Sequence, residues 1–214
     1  MGEQKLIITI ARSYGSGGRT LAKMLSENLN IPYFDKDIVK LASEKSGINE
    51  GLFGVTDEKL NGIFKKIKGN YKGKTLSPSS SKYTSDDNLF EFTAEVIKEM
   101  AASGDCIIVG RCADYILKDN KDVISLYFYA TEEDCMVRLR NQVSGTDAEL
   151  LKRKHEIDKS RAEYYKHYTH KEWNDATNYD FCLNTATMDY DKLVANTTRD
   201  ASFAEYIDLF SKLS

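Results

Sequence analysis

Residues 7–22 read Ile-Ile-Thr-Ile-Ala-Arg-Ser-Tyr-Gly-Ser-Gly-Gly-Arg-Thr-Leu-Ala, an apolar run that ends in a loop holding Gly15, Gly17 and Gly18. Leu21, Leu25 and Leu29 follow at the spacing of one helix face. A strand, a glycine loop and a helix in this order can cradle an oxyanion. Glycines let backbone N–H groups approach closely, and the helix start adds unsatisfied donors and the positive end of its dipole. The spacing follows the phosphate-binding consensus Gly-x-x-x-x-Gly-Lys-Ser/Thr with two departures: Ser13 replaces the first glycine and Arg19 the lysine. Thr20 stands where the consensus places the hydroxyl that meets magnesium.

Other residues are spaced for chemistry. Asp35 and Asp37 close the short apolar run that starts at Ile31, and in a parallel sheet they would reach the same edge as the glycine loop. Arg111 follows Gly110 directly after Cys106-Ile107-Ile108-Val109, a run suited to a strand buried on both faces. An arginine there is an anion ligand or a helix-side ion-pair partner, and its position favours the anion. Arg138 falls on a helix after the fourth strand. Lys154, Asp158, Arg161 and Tyr165 share one face of a long polar helix, a pattern that by itself fits a solvated face with weak ion pairs. Neither His167 and His170 nor the four cysteines, which lack paired C-x-x-C spacing, make a convincing metal set. Buried free thiols are the simpler reading.

These residues need a scaffold that gathers strand ends on one edge. Apolar runs at 7–11, 31–35, 106–109, 123–129 and 179–184 alternate with helical patterns, which predicts an α/β domain with a mainly parallel sheet. Helical spacing runs from Ile38 to about Leu60, and Phe90, Ala94, Ile97 and Ala101 mark another helix. Phe203, Tyr206, Ile207 and Phe210 suggest a closing helix over the sheet. The 214 residues suit one substantial core, and 41% hydrophobic with 29% charged residues is ordinary for a globular chain. A formal net charge of −3 argues against a general nucleic-acid binder. The lysine-rich stretch 65–87 reads as a mobile loop, and its Tyr71 and Tyr83 admit a weaker RNA-binding reading. With neither a secretory segment nor a membrane-length apolar run, a cytoplasmic location without a membrane partner is expected. The oligomeric state is not legible.

Residues 8–19, Pro32-Tyr33-Phe34-Asp35, residues 106–117, residues 157–165 and residues 179–185, in this order, resemble the cytidylate kinase-like family of the P-loop nucleoside monophosphate kinase superfamily. The resemblance implies a three-layer P-loop fold with a five-stranded parallel sheet. A single domain over 1–214 would carry a substrate-binding insertion at about 36–102 and a lid at about 141–170. It implies ATP as donor, Mg2+ as cofactor and a small nucleotide, CMP or dCMP-like, as acceptor. Gly15, Ser16, Gly17, Gly18, Arg19 and Thr20 would hold ATP, with Thr20 on the metal. Asp35, Asp37 and Arg111 would bind the acceptor, and Arg19, Arg138, Asp158 and Arg161 would be catalytic. The family pattern carries Gly-Lys at Gly18-Arg19 and an aspartate at Val109, so a nucleotide-binding sensor without turnover is the alternative reading.

Overall fold

A computed structural model describes residues 5–54 and 71–186. Five strands, β1 (Ile7–Arg12), β2 (Tyr33–Phe34), β3 (Cys106–Val109), β4 (Val123–Tyr129) and β5 (Phe181–Asn184), form one sheet in the order β2-β3-β1-β4-β5. Every neighbouring pair is parallel, with Ile8 of β1 opposite Ile107 of β3 and Ile124 of β4. The central strand β1 is buried along its whole length, which is why its sequence is a continuous β-branched run rather than an alternating one.

The sheet has helices on both faces. Successive β1 side chains point opposite ways. Ile8 and Ile10 pack with Leu21, Leu25 and Leu29 of α1 (Gly18–Leu29). Each of these leucines is fully buried and stabilises the layer by roughly 2 kcal/mol. Ile7 and Ala11 face the other layer, built from α2 (Asp37–Ser46), α3 (Asp86–Ser103), the short α4 (Ala113–Ile116) and α6 (Asp147–Thr169). The remaining helix, α5 (Glu132–Gln142), starts at an N-cap from Thr131, whose hydroxyl accepts from the Asp134 N–H. A capping box at Thr146 and Glu149 starts α6.

Helix α2 is shorter than its apolar spacing predicts. It ends at Ser46 because Gly47 takes a left-handed φ of 70° and donates its N–H back to the Ser43 carbonyl. A 3-10 turn follows over Glu50–Phe53, and the rest of the expected helix to Leu60 lies outside the described residues. So do residues 65–70 of the lysine-rich stretch and the closing helix with Phe203, Tyr206, Ile207 and Phe210. From Tyr71 onward the stretch is fastened to α3. Glu91 accepts from the N–H groups of Lys72 and Gly73, and Asn88 accepts from Leu76 N–H at 2.7 Å. Tyr71 and Tyr83 pack edge-on against Phe90 and Phe92, so both rings are spent on the core rather than offered to bases. Among the described residues, no helix is long and apolar enough to cross a membrane.

Aromatic contacts hold α6 against α3. Tyr168 stacks on Phe90 at 3.9 Å with planes 6° apart and donates its hydroxyl to the Asp86 carbonyl at 3.1 Å. Truncating Phe90, which is buried, removes the ring on which three tyrosines rest. Phe90→Ala is expected to lower the unfolding free energy by about 3–5 kcal/mol in urea titrations, whereas a loss below ~1 kcal/mol would show that α6 is held elsewhere.

Candidate active site

The glycine loop sits where β1 leaves the sheet. Gly15 and Gly17 take φ of 80° and 83°, and Gly17 caps α1. The N–H groups of Gly18, Arg19 and Thr20 open the helix, where no intrahelical carbonyl is available to them. Two loop carbonyls are occupied: Ser16 O accepts from the Thr185 hydroxyl at 2.5 Å, and Gly15 O from Arg138 Nη1 at 3.5 Å. Arg138 Nη2 also donates to the Thr185 carbonyl at 2.8 Å, tying the loop to the chain after β5. A Cβ on Gly15 would come within 3.0 Å of Cys135, so the loop lies directly on α5. This fastening engages the Ser16 and Gly15 carbonyls with Thr185 and Arg138.

Asp35, just past β2, gathers the charges beside the loop. Its Oδ2 lies 2.6 Å from Arg19 Nε and accepts from the Tyr33 hydroxyl at 3.1 Å, while its Oδ1 lies 3.6 Å from Arg12 Nη2. Burial, and next the Asp35 charge, pushes the Tyr33 phenol well up, which keeps it a neutral donor. Asp37 is exposed on the first turn of α2, and Thr20 is exposed on the first turn of α1. Among the described residues, no three His, Cys, Asp or Glu side chains form a metal cage. A hydroxyl beside a phosphate cradle instead fits magnesium carried mostly by phosphate oxygens and water.

The Lys154, Asp158, Arg161 and Tyr165 face of α6 turns inward, contrary to the solvated reading. Asp158 Oδ1 accepts from the Tyr14 N–H in the glycine loop at 2.7 Å, and Oδ2 pairs with Lys154 Nζ at 2.9 Å. Arg161, buried, donates to the Arg12 carbonyl at 3.0 Å and lies 5.8 Å from the Tyr14 ring centroid. The Tyr165 hydroxyl donates to Asp114 at 2.7 Å. Spacing alone showed the shared face; which way it turned depended on the aromatic seam to α3.

A small cavity of about 30 Å³ lies where β1 ends and the chain turns after β3, lined among others by Arg12, Arg111, Asp114, Arg161, Tyr165 and Trp173. Arg111 has φ 57° and donates to the carbonyls of Phe53 and Gly54 at 3.4 and 2.9 Å. The structure therefore brings Asp35, Arg111, Asp158 and Arg161 to the sheet edge that holds the loop, sets Arg138 against the loop carbonyls, and leaves Asp37 exposed on the first turn of α2. Sequence reasoning missed Arg12, Asp114 and Thr185. An arginine closing an otherwise uncharged β-branched strand was a signal for Arg12; nothing local singled out Thr185.

Two outcomes follow from this geometry. Thr185→Val removes the donor to Ser16 O and is expected to weaken nucleotide binding about tenfold; calorimetric titration giving wild-type affinity would contradict the brace. Burial pushes Asp114 up to about 6, although the Tyr165 hydroxyl opposes the shift. Ionising it therefore costs more in the folded chain than in the unfolded one. Its contribution is fully present below pH ~4 and is lost as pH rises through ~6. Asp114→Asn should thus gain thermal stability relative to wild type as pH rises from 4 to 7, and parallel melting curves across that range would refute the assignment.

The family model described as the cytidylate kinase-like family matches residues 7–187. No curated protein matches the sequence. An uncharacterized protein from Eubacterium ventriosum is similar in structure at TM-score 0.66 and 24% identity, over 95% of this chain and 99% of that one. Shikimate kinase from Bacteroides thetaiotaomicron is similar at TM-score 0.50 and 16% identity, over 89% of this chain and 94% of that one. Both likenesses concern the fold, the three-layer α/β architecture of P-loop kinases. With the match spanning the glycine loop, Asp35, Arg111 and the α6 arginine in order, the chain belongs to the cytidylate kinase-like family.

Proposed function

We propose that the chain is an ATP-dependent phosphotransferase whose acceptor is a nucleoside monophosphate, CMP or dCMP-like, or a similarly small molecule. The observation that carries this reading is convergence. A glycine cradle at the start of α1, and arginines from β1, from the turn after β3 and from α6, meet at one edge of a parallel sheet. Phosphoryl transfer asks the protein for in-line positioning and for cations around the moving group, with little covalent chemistry.

In this reading Gly15 to Thr20 hold the donor phosphates, with Thr20 beside Mg2+, which supplies charge neutralisation across the phosphates. Arg19 sits one residue before Thr20 on the first turn, 40% exposed, and can turn from Asp35 to a phosphate. Its planar fork gives two-point contact where a lysine gives a point charge. Asp35, Asp37 and Arg111 belong to the acceptor side. Arg161 and Asp158 tie α6 to the end of β1 and the glycine loop, so any movement of the proposed 141–170 lid would act directly on the cradle. Arg138 serves by bracing the loop.

A sensor without turnover is the second reading. It is favoured by the 2.6 Å grip of Asp35 on Arg19, and by Val109, which is wholly buried in the apolar layer at the end of β3 and offers no carboxylate there. The two readings part on product. With Mg2+ and ATP, a panel of monophosphates and small acceptors should yield one phosphorylated product. Arg19→Ala should lower that turnover about a hundredfold or more with an unchanged melting cooperativity. Stabilisation by ATP without product from any acceptor would establish the sensor instead.

A further inference from the structure

We propose that Tyr14 is a positioning residue of the glycine loop, its ring being the seat through which α5 and α6 hold the donor-phosphate cradle in shape. The inference rests on the phosphotransferase reading and adds to it a residue that acts through the loop backbone.

Tyr14 stands at a position the phosphate-binding consensus leaves open, so glycine spacing assigns it nothing. The structure ties it to both helices. The Ser16 N–H donates to the Ser13 carbonyl at 3.3 Å, which makes Tyr14 and Gly15 the central residues of a turn. Gly15 lies on α5, where a Cβ would stand 3.0 Å from Cys135 and 3.1 Å from Leu139. Tyr14 packs on Met136, Leu139 and Leu150, a small apolar cluster that joins α5 to α6 apart from the main core. Its N–H donates to Asp158 Oδ1 at 2.7 Å. Two α6 guanidiniums meet its ring, Arg153 at 5.9 Å and Arg161 at 5.8 Å from the centroid. Both are within the ~6 Å over which a ring face attracts a cation. Arg161 is itself fixed, donating to the Arg12 carbonyl at 3.0 Å and lying 3.7 Å from Asp158 Oδ1. These arginines stand about 12 Å apart along the helix, so one ring engages about two turns of α6.

A loop holding Gly15, Gly17 and Gly18 has little side-chain packing of its own, and glycine loses the most backbone freedom on ordering. Tyr14 is the large side chain between Ser13 and Gly18. Held by its ring, the loop is ordered before nucleotide arrives. Without the ring, that ordering is deferred to the binding step, and the loss falls on donor affinity.

The test is calorimetric titration of a non-hydrolysable ATP analogue with Mg2+ into the full chain and its variants. Tyr14→Leu keeps an apolar side chain and the N–H but loses the ring face, and is expected to bind the analogue about tenfold more weakly. Tyr14→Phe keeps the ring and should restore affinity to within about twofold of wild type. Arg153→Met should weaken binding about threefold in the wild-type background and have no effect in the Tyr14→Leu background. Spectra of 15N-labelled protein give a reading that lost stability would not mimic. The Arg153 and Arg161 Nε–H resonances, shifted upfield by the ring in wild type, should move downfield in Tyr14→Leu and stay in place in Tyr14→Phe. Wild-type affinity in Tyr14→Leu, an equal loss in Tyr14→Phe, or the same loss from Arg153→Met in both backgrounds overturns the proposal alone. Should Tyr14→Leu fail to fold, Arg153→Met decides, and wild-type affinity there overturns it. Failure of wild type to bind the analogue overturns the phosphotransferase reading beneath it.

Discussion

Asp35 accepts from Arg19 and Tyr33 and faces Arg12, and through these contacts the end of β1, the end of β2 and the first turn of α1 become one unit. None of the three segments would hold its charge in place alone. Arg12 is buried, Arg19 belongs to a glycine-rich turn, and β2 is only two residues long. With a side chain 12% exposed, the carboxylate acts in surroundings where charge is weakly screened. It also sets the two sides of the site in competition, because a donor phosphate and Asp35 want the same Arg19 guanidinium. A chain that keeps arginine at the lysine position of the consensus gains a residue able to pair with either.

The second constraint is directional. In a parallel sheet every strand delivers its following turn to the same edge, so Gly15, Asp35, Arg111 and the chain after β5 arrive together. Thr185 and Arg138 engage the Ser16 and Gly15 carbonyls of the loop. Helix α6 closes the arrangement from above, its Asp158 on the Tyr14 N–H and its Arg161 on the Arg12 carbonyl.

Much of this was legible in the sequence, because the strongest signals are local. Glycine spacing, a continuous apolar strand and the leucine stripe gave the loop, its strand and its helix, and Gly110-Arg111 marked the next strand end. What was hidden depends on contacts between distant segments. Whether the polar face of α6 meets water or the glycine loop is decided by Tyr168 on Phe90, 78 positions away in sequence. The lysine-rich stretch read as unanchored because Glu91 and Asn88, which hold its backbone, lie in the next helix. Thr185 is an ordinary threonine until the fold sets it under Ser16. Helix α2 was overextended because apolar spacing continues past Gly47, whose left-handed turn ends it.

The claim on which the account stands is that donor phosphates bind at Gly15 to Thr20 and take Arg19 from Asp35. Titrating 15N-labelled protein with Mg2+ and ATP, while following the backbone amides of these residues and the Arg19 Nε–H, tests it most directly. The account predicts saturable shifts of the Gly18, Arg19 and Thr20 amides, with the Arg19 Nε–H moving at the same nucleotide concentration. Shifts confined to other parts of the sheet edge, with these resonances unmoved at saturation, would contradict it.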